Sequence, residues 1–262
     1  MIVLGVDTAT SSTVVALRLE DGSTLQARDD PDRTPPTRRP GHTTRLLPMV
    51  DELLTRANIG WRALERIAVG LGPGTFTGLR VGVATARGLA QSLGIELVGC
   101  SSLRALAEGG HVGIEATDPA SLGGTSVLAV LDARRGEAFA AAYLLTERTS
   151  AEELVAPRAL APEDLGSILA QAEAHREGDE AQRGREHLGP WRAIGDGAVR
   201  FRSHLEAVGV TVPPDSSPLH LVSAVAICDL GARGEAVASH EAIVPDYRRR
   251  PDAEIALESA AK

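Results

Sequence analysis

The chain has 262 residues, with 27 Lys and Arg against 35 Asp and Glu, for a formal net charge of -8. That balance opposes a broad electrostatic grip on nucleic acid, which needs a basic surface to displace counterions. Two distant cysteines, Cys100 and Cys228, supply neither a disulfide framework nor a CxxC metal site, and the lone lysine, Lys262, excludes a Walker P-loop, a Schiff-base enzyme and a kinase-type lysine. Aromatics make up 3%, so the core must be built from Val, Leu, Ile and Ala. Met1 leads straight into an apolar strand and no run of eighteen apolar residues follows, so the expected setting is the cytoplasm, with no membrane partner.

Ile2 to Val6 reads as a buried strand ending at Asp7, Thr13 to Leu19 as its partner, and Thr24 to Ala27 as a third strand after the Asp21-Gly22 turn. The proline-rich stretch 28–41 must be a loop. A helix is predicted over 44–57, capped by Thr43 or Thr44, with Pro48 tolerable only near its first turn and His42 just before the cap. Arg66 to Leu71 is a short buried strand feeding a glycine turn, a second helix spans 77–93, and Glu96 to Gly99 is the next strand. Residues 109–126 read as an irregular boundary between an N-terminal α/β half, 1–108, and a C-terminal one, 127–250. The second half restarts with a strand from Val127 to Leu131, ending at Asp132, and a returning strand from Glu137 to Leu145. Helical patterns follow at 162–174, 198–208 and 221–232. Charge without apolar periodicity predicts a surface loop over 175–187, and 251–262 reads as a tail.

The most informative stretch is GLGPGTFTGLRVGVATARGLAQSLG, from Gly70 to Gly94. It joins a glycine-rich turn to a helix whose apolar residues spread over more than one face, and such a helix is normally buried all round. One face can lie on the chain's own sheet, which leaves the other for a partner. Val83 shares a stripe with Leu79, Ala86 and Ala90, whereas Val81 lies roughly opposite with Ala84 and Gly88.

The run Gly72 to Gly82, GPGTFTGLRVG, resembles the GPGSFTGLRIG signature of the TsaB (YeaZ) family. The opening MIVLGVDTAT, the HTTRLLPMV run from His42, the LDARRGE run from Leu131 and, less closely, EAIVPDYR from Glu241 resemble further family segments in the same order. Thr75 replaces a usual serine. The resemblance implies a duplicated α/β fold of the actin, hexokinase and Hsp70-like (ribonuclease H-like) superfamily, two α/β halves with mixed sheets. It also implies a non-catalytic subunit of the machinery that installs threonylcarbamoyladenosine beside the tRNA anticodon. Such a subunit forms a homodimer when alone, pairs with a TsaD-type catalytic subunit, assembles with a TsaE-type ATPase, and meets tRNA only through the complex. Pairing is expected through the first two long helices, at Leu46, Leu47, Val50, Leu53 and Leu54 and at Leu79, Val81, Val83, Ala86, Leu89 and Ala90. No cofactor is expected.

In that superfamily, aspartates at strand ends bind magnesium near a nucleotide phosphate, which makes Asp7 and Asp132 the sharpest catalytic candidates. No glycine follows Asp7, however, and Ala9 and Thr10 put side chains where a phosphate would sit, so a structural role is favoured for both aspartates. The turn at Gly72, Gly74 and Thr75 could cradle an anion at the helix N-terminus, but its spacing fits neither GxGxxG nor GxxxxGK[ST], and close packing is the plainer reading. The seven histidines never fall at zincin spacing, so no metal site is expected. No GxSxG elbow is present, and Cys228 falls on an ordinary apolar stripe. The rival from another class is a metal- or ATP-dependent hydrolase or phosphotransferase of the same fold, as in the older glycoprotease naming.

Overall fold

The computed structural model describes residues 1–30, 41–117, 125–147, 150–183 and 190–248. Of the expected loop over 28–41, Arg28 and Asp29 belong to a strand and residues 31–40 lie outside the described residues, as do 118–124 of the expected boundary and the tail at 251–262. The first half opens with β1 (Val3–Asp7), β2 (Thr13–Arg18) and β3 (Thr24–Asp29), followed by α1 (His42–Arg56), β4 (Arg66–Gly72), α2 (Phe76–Leu93) and β5 (Glu96–Ser101). These strands form one mixed sheet in the order β3-β2-β1-β4-β5. β1 runs antiparallel to β2 and parallel to β4, with Leu4 opposite Ile67 and Val6 opposite Val69.

Alternate residues of a strand point to opposite faces. One face therefore carries Leu4, Val6, Val15, Leu17, Ile67, Val69 and Leu97, which α1 and α2 cover with Leu46, Val50, Leu53, Val83, Ala86 and Ala90. Full burial of a side chain of this size contributes about 1.5–3 kcal/mol, so the inner stripes of both helices are committed to the core. His42 is the first residue of α1, not its predecessor, and Gly41 occupies the cap position, so Thr43 and Thr44 provide no side-chain cap. Pro48 lies inside α1 rather than in its first turn; both it and Thr44, whose carbonyl loses its usual donor, face away from the core.

The chain continues with α3 (Ser102–Thr117), helical well into the stretch that glycine content marked as irregular, with Leu103, Ala105, Leu106 and Ala107 all buried over its first turns. The second half comprises β6 (Thr125–Arg134), β7 (Glu137–Glu147), β8 (Ser150–Leu160), α4 (Leu165–Arg183), β9 (Arg192–Ile194), α5 (Asp196–Arg200) and α6 (Arg202–Ala207). Its sheet has the order β8-β7-β6-β9, with β9 parallel to β6. β8 and β9 escaped the sequence reading. α4 extends through Arg183, so the residues from 175 to 183 are helical and not a loop, while 184–187 lie outside the described residues. The predicted 198–208 helix is broken at Phe201 into α5 and α6.

The last long helix, α7 (Ala224–Arg233), returns to the first sheet and packs against β1, β2 and β4. Its approach is close: a Cβ at Gly231 would lie 2.3 Å from the Cβ of Ala68, and one at Gly5 would lie 2.7 Å from Sγ of Cys228. The central core joins Val3, Val14 and Ala16 of the first sheet, Leu103 and Leu106 of α3, Ile227 of α7, and Val127, Ala129 and Phe139 of the second sheet. Each half thus repeats three antiparallel strands, a parallel fourth strand and a glycine-marked helix start. The fold is the duplicated α/β architecture with two mixed sheets.

Candidate functional site

The β1–β2 turn and the glycine turn after β4 fit into each other. Asp7 is 1% exposed; its Oδ1 accepts the Ala9 N–H at 2.7 Å and its Oδ2 accepts the Ser102 hydroxyl at 2.5 Å. The Ser102 Oγ in turn accepts the Gly72 N–H at 3.1 Å. The Thr75 N–H donates to the Ala9 carbonyl at 2.7 Å, and the Thr8 hydroxyl donates to the Gly78 carbonyl at 2.7 Å. Side chains on the glycines would abolish this fit. A Cβ at Gly70 would lie 1.8 Å from Asp7 Oδ2, one at Gly74 2.3 Å from the Ala9 carbonyl oxygen, one at Gly78 2.0 Å from the Thr8 carbonyl oxygen, and one at Gly82 2.3 Å from Thr8 Oγ1. Burial raises the Asp7 carboxyl above the usual carboxylate range, opposed by the hydrogen bonds from Ser102 and Ala9 and by the charge of Arg28.

Of the positions considered for an anion, the Gly72 and Thr75 N–H groups are therefore already bonded within the chain, and Gly74 is pressed against Ala9. Asp7 is wired to the turn rather than held open beside it. Ser102, which joins the two, was not singled out from the sequence; it sits directly after β5 and begins α3, and nothing in its spacing from Asp7 announced the contact.

Asp132 ends up in a different setting. Its Oδ1 accepts the Arg134 N–H at 2.9 Å, and its Oδ2 accepts from Arg134 Nη1 at 3.2 Å and Arg200 Nη1 at 2.9 Å. Its own N–H donates to Asp196 Oδ1 at 3.0 Å. Burial raises Asp196 to about 6, and the neighbouring Asp132 charge pushes in the same direction. Asp196 was missed from sequence, although Gly195-Asp196-Gly197 after a short apolar run is the signal that could have found it. Asp7 and Asp132 thus form separate centres with different partners.

The eleven positions expected to bind a partner divide. Leu46, Val50, Leu53, Leu54, Leu79, Val83, Ala86 and Ala90 are buried within the chain's own core. Their stripe faces the sheet, as the alternation of Val83 with Val81 allowed but could not decide. Leu47 is 44% exposed, and Val81 and Leu89 are half-buried, so only these three reach the outer surface. The outer stripe of α2 also carries Thr77, Arg80, Ala84, Gly88 and Gln91, and is more polar and smaller than the sequence suggested.

Nδ1 of His42 lies 2.8 Å from the Thr13 hydroxyl, and burial holds its pKa below the usual histidine value, so the ring fastens α1 to β2. His220 contacts the Gly195 backbone and His240 the Ile95 carbonyl. Among the described residues no group of three or more His, Cys, Asp or Glu is arranged to hold a metal ion, and no helix is long and apolar enough to cross a membrane. Burial pushes the Cys100 thiol up to about 12 and raises Cys228 as well, which suits core packing rather than nucleophilic attack.

Comparison with known proteins places this geometry. The profile of the family described as TsaD, tRNA N6-adenosine threonylcarbamoyltransferase, matches residues 34–186. The tRNA threonylcarbamoyladenosine biosynthesis protein TsaB of Escherichia coli is 36% identical over 143 residues, 55% of this chain and 55% of that protein. This chain thus spans about half the length of the first curated relatives it matches. An uncharacterised protein of Mycobacterium tuberculosis is 33% identical over 252 residues, 96% of this chain and 93% of that one. Among solved structures, YeaZ from Pseudomonas aeruginosa superimposes with a TM-score of 0.69 at 26% identity, covering 94% of this chain and 99% of that chain. With the GPGTFTGLRVG turn closed on the strand-end aspartate and the fold matched over nearly its full length, the chain belongs to the TsaB (YeaZ) family.

Proposed function

We propose that this chain is a non-catalytic subunit in the biosynthesis of threonylcarbamoyladenosine on tRNA, acting in the cytoplasm as a scaffold for a TsaD-type catalytic subunit. The observation that carries the reading is the closed Asp7 centre: the turn that would face a phosphate is filled by the chain's own residues 8 and 9. The Asp7 carboxylate, 1% exposed, accepts from Ala9 and Ser102 inside its own turn, while Thr8 and Ala9 bond the start of α2 over it. The name of the E. coli relative supports the pathway.

In this reading the first half, 1–108, presents the outer faces of α1 and α2 to the partner through Leu47, Val81 and Leu89, beside the small residues Ala84 and Gly88. Small side chains on a helix surface allow a second helix to approach closely, and the same surface pairs with a second copy when the partner is missing. A TsaE-type ATPase joins the assembly, and tRNA is reached through the complex, consistent with the net charge of -8.

The test is reconstitution. Purified with TsaD- and TsaE-type subunits and the threonylcarbamoyl-adenylate donor, the chain is expected to be required for tRNA modification while showing no ATP or peptide turnover alone. Turnover by the pure chain that disappears in Asp7→Ala or Asp132→Ala would overturn the reading in favour of the enzyme of the same fold.

A further inference from the structure

The segment from Val237 to Tyr247 builds a corner on α2 beside the positions assigned to the partner. The Val237 N–H donates to the Leu97 carbonyl at 3.1 Å, Ile243 inserts into the first core, and the Asp246 N–H donates to the Leu71 carbonyl at 2.8 Å. This run follows β5 up to the glycine turn and delivers Tyr247 to the first turns of α2. There the Arg80 guanidinium lies 3.7 Å from the centroid of the Phe76 ring, and its Nε donates to the Tyr247 hydroxyl at 3.0 Å. The two rings are 5.3 Å apart, and Phe76 and Tyr247 are 42% and 44% exposed.

Most arginines of known surroundings face a carboxylate: Arg18 faces Asp229, Arg66 faces Glu96, and Arg233 faces Glu108. Arg80 faces none among the described residues, and is held instead by two aromatic rings and one hydroxyl. Stacking on Phe76 covers one face of the guanidinium and the bond to Tyr247 fixes its Nε, so the outer pair of nitrogens is oriented before any ligand arrives. A planar fork of this kind matches a carboxylate with two parallel hydrogen bonds, and prior ordering lowers the entropy cost of forming them. Arginine flanked by aromatic rings is also the composition of interface anchors.

We propose that Phe76, Arg80 and Tyr247 form a docking point for a carboxylate side chain of the protein partner, an anchor of the same α2 face assigned to the catalytic subunit under the proposed function; the inference rests on that assignment. Arg80 shares the outer stripe with Ala84 and Gly88, so an anchored partner helix can lie close along α2. A protein carboxylate fits better than a nucleic-acid backbone. With Arg87, seven residues on from Arg80, this side of α2 offers only two cations, whereas a polyanion is gripped by several, and the chain as a whole carries -8.

The test measures affinity for the TsaD-type subunit of the same organism, together with thermal melting, for wild type, Arg80→Gln, Arg80→Lys and Phe76→Ala. Arg80→Gln is expected to weaken binding at least tenfold with an unchanged melt. Arg80→Lys should recover only part of the loss, because an ammonium cannot make the paired contact, and Phe76→Ala should fall between. If wild type binds and Arg80→Gln binds equally well, the anchor is overturned and the subunit reading stands. If wild type fails to bind, both fall. If the wild-type chain alone binds tRNA and Arg80→Gln abolishes it, the corner is a phosphate site and the carboxylate assignment is overturned.

Discussion

The two halves share one plan and complete it differently. Each has a strand with an aspartate at or near its end, Asp7 closing β1 and Asp132 two residues before the end of β6, a returning antiparallel strand, and a parallel strand that passes through glycines into a helix. In the first half that helix is α2, 18 residues long, and Gly74, Gly78 and Gly82 admit the backbone and side chains of residues 8 and 9, closing Asp7 off. In the second half α5 has only 5 residues; Gly195 and Gly197 press on Val130 and Leu131, and Asp132 is left at the rim between two half-exposed arginines. An aspartate at a strand end is thus no sign of catalysis by itself. The residues packed around it decide whether it faces a ligand, locks a turn or pairs at the surface.

If the first centre is a lock, its close contacts should dominate stability. Gly78→Ala places a Cβ 2.0 Å from the Thr8 carbonyl oxygen, where backbone must move. We expect a loss of about 3 kcal/mol, from the cost of overpacking. On the exposed side of the same helix, a Cβ at Gly88 meets nothing. Gly88→Ala should therefore stabilise by about 0.5–1 kcal/mol through helix propensity. Denaturant unfolding of both variants checks the pair, and equal effects would remove the distinction between the faces.

The polar partners give a smaller contrast. Ser102→Ala strips a donor from Asp7 and an acceptor from the Gly72 N–H, both buried, and should cost about 2–3 kcal/mol. Arg200→Ala removes one half-exposed arginine from Asp132, whose side chain is 7% exposed but keeps Arg134, and should cost about 1 kcal/mol. A reversed order in the same unfolding measurement would break the comparison.

How much of this was legible beforehand depended on the range of the contact. β1, β2, α1, β4 and α2 came from hydrophobic period and turn chemistry, which act within a few residues; the family came from the motif at Gly72. α3 was obscured because glycine content outweighed apolar residues that only packing between the two sheets and α7 makes useful. α4 was cut short because its last turns carry charge rather than periodicity. The Asp7–Ser102 contact spans 95 residues and the Arg80–Tyr247 contact 167, and neither leaves a local pattern. The inward stripe of α2 was the opposite case: both stripes were visible, and only packing on the sheet could choose between them.

A pH response is also expected from the second half. Asp196 is raised to about 6 in the folded chain, above the unfolded carboxyl near about 3.9. Its contribution to stability is therefore fully present below about pH 4 and is lost as pH rises to about 6. Asp196→Asn keeps an acceptor for the Asp132 N–H and should flatten that part of the stability profile, measured against wild type by urea unfolding from pH 4 to 7. An unchanged profile would show that Asp196 is not held in this way.

The central claim is that α2 has one face built into its own sheet and another for assembly, and the most direct measurement compares Val83→Asp with Val81→Asp. Val83 is buried against the first core, where an unpaired carboxylate costs several kcal/mol, on the order of a domain's whole stability of about 5–15 kcal/mol. That variant should lose its cooperative melt. Val81 is half-buried on the outer side, so Val81→Asp should melt as wild type does while failing to assemble with the TsaD-type subunit in light scattering. If Val81→Asp assembles normally, or if Val83→Asp melts like wild type, the two-faced helix is contradicted.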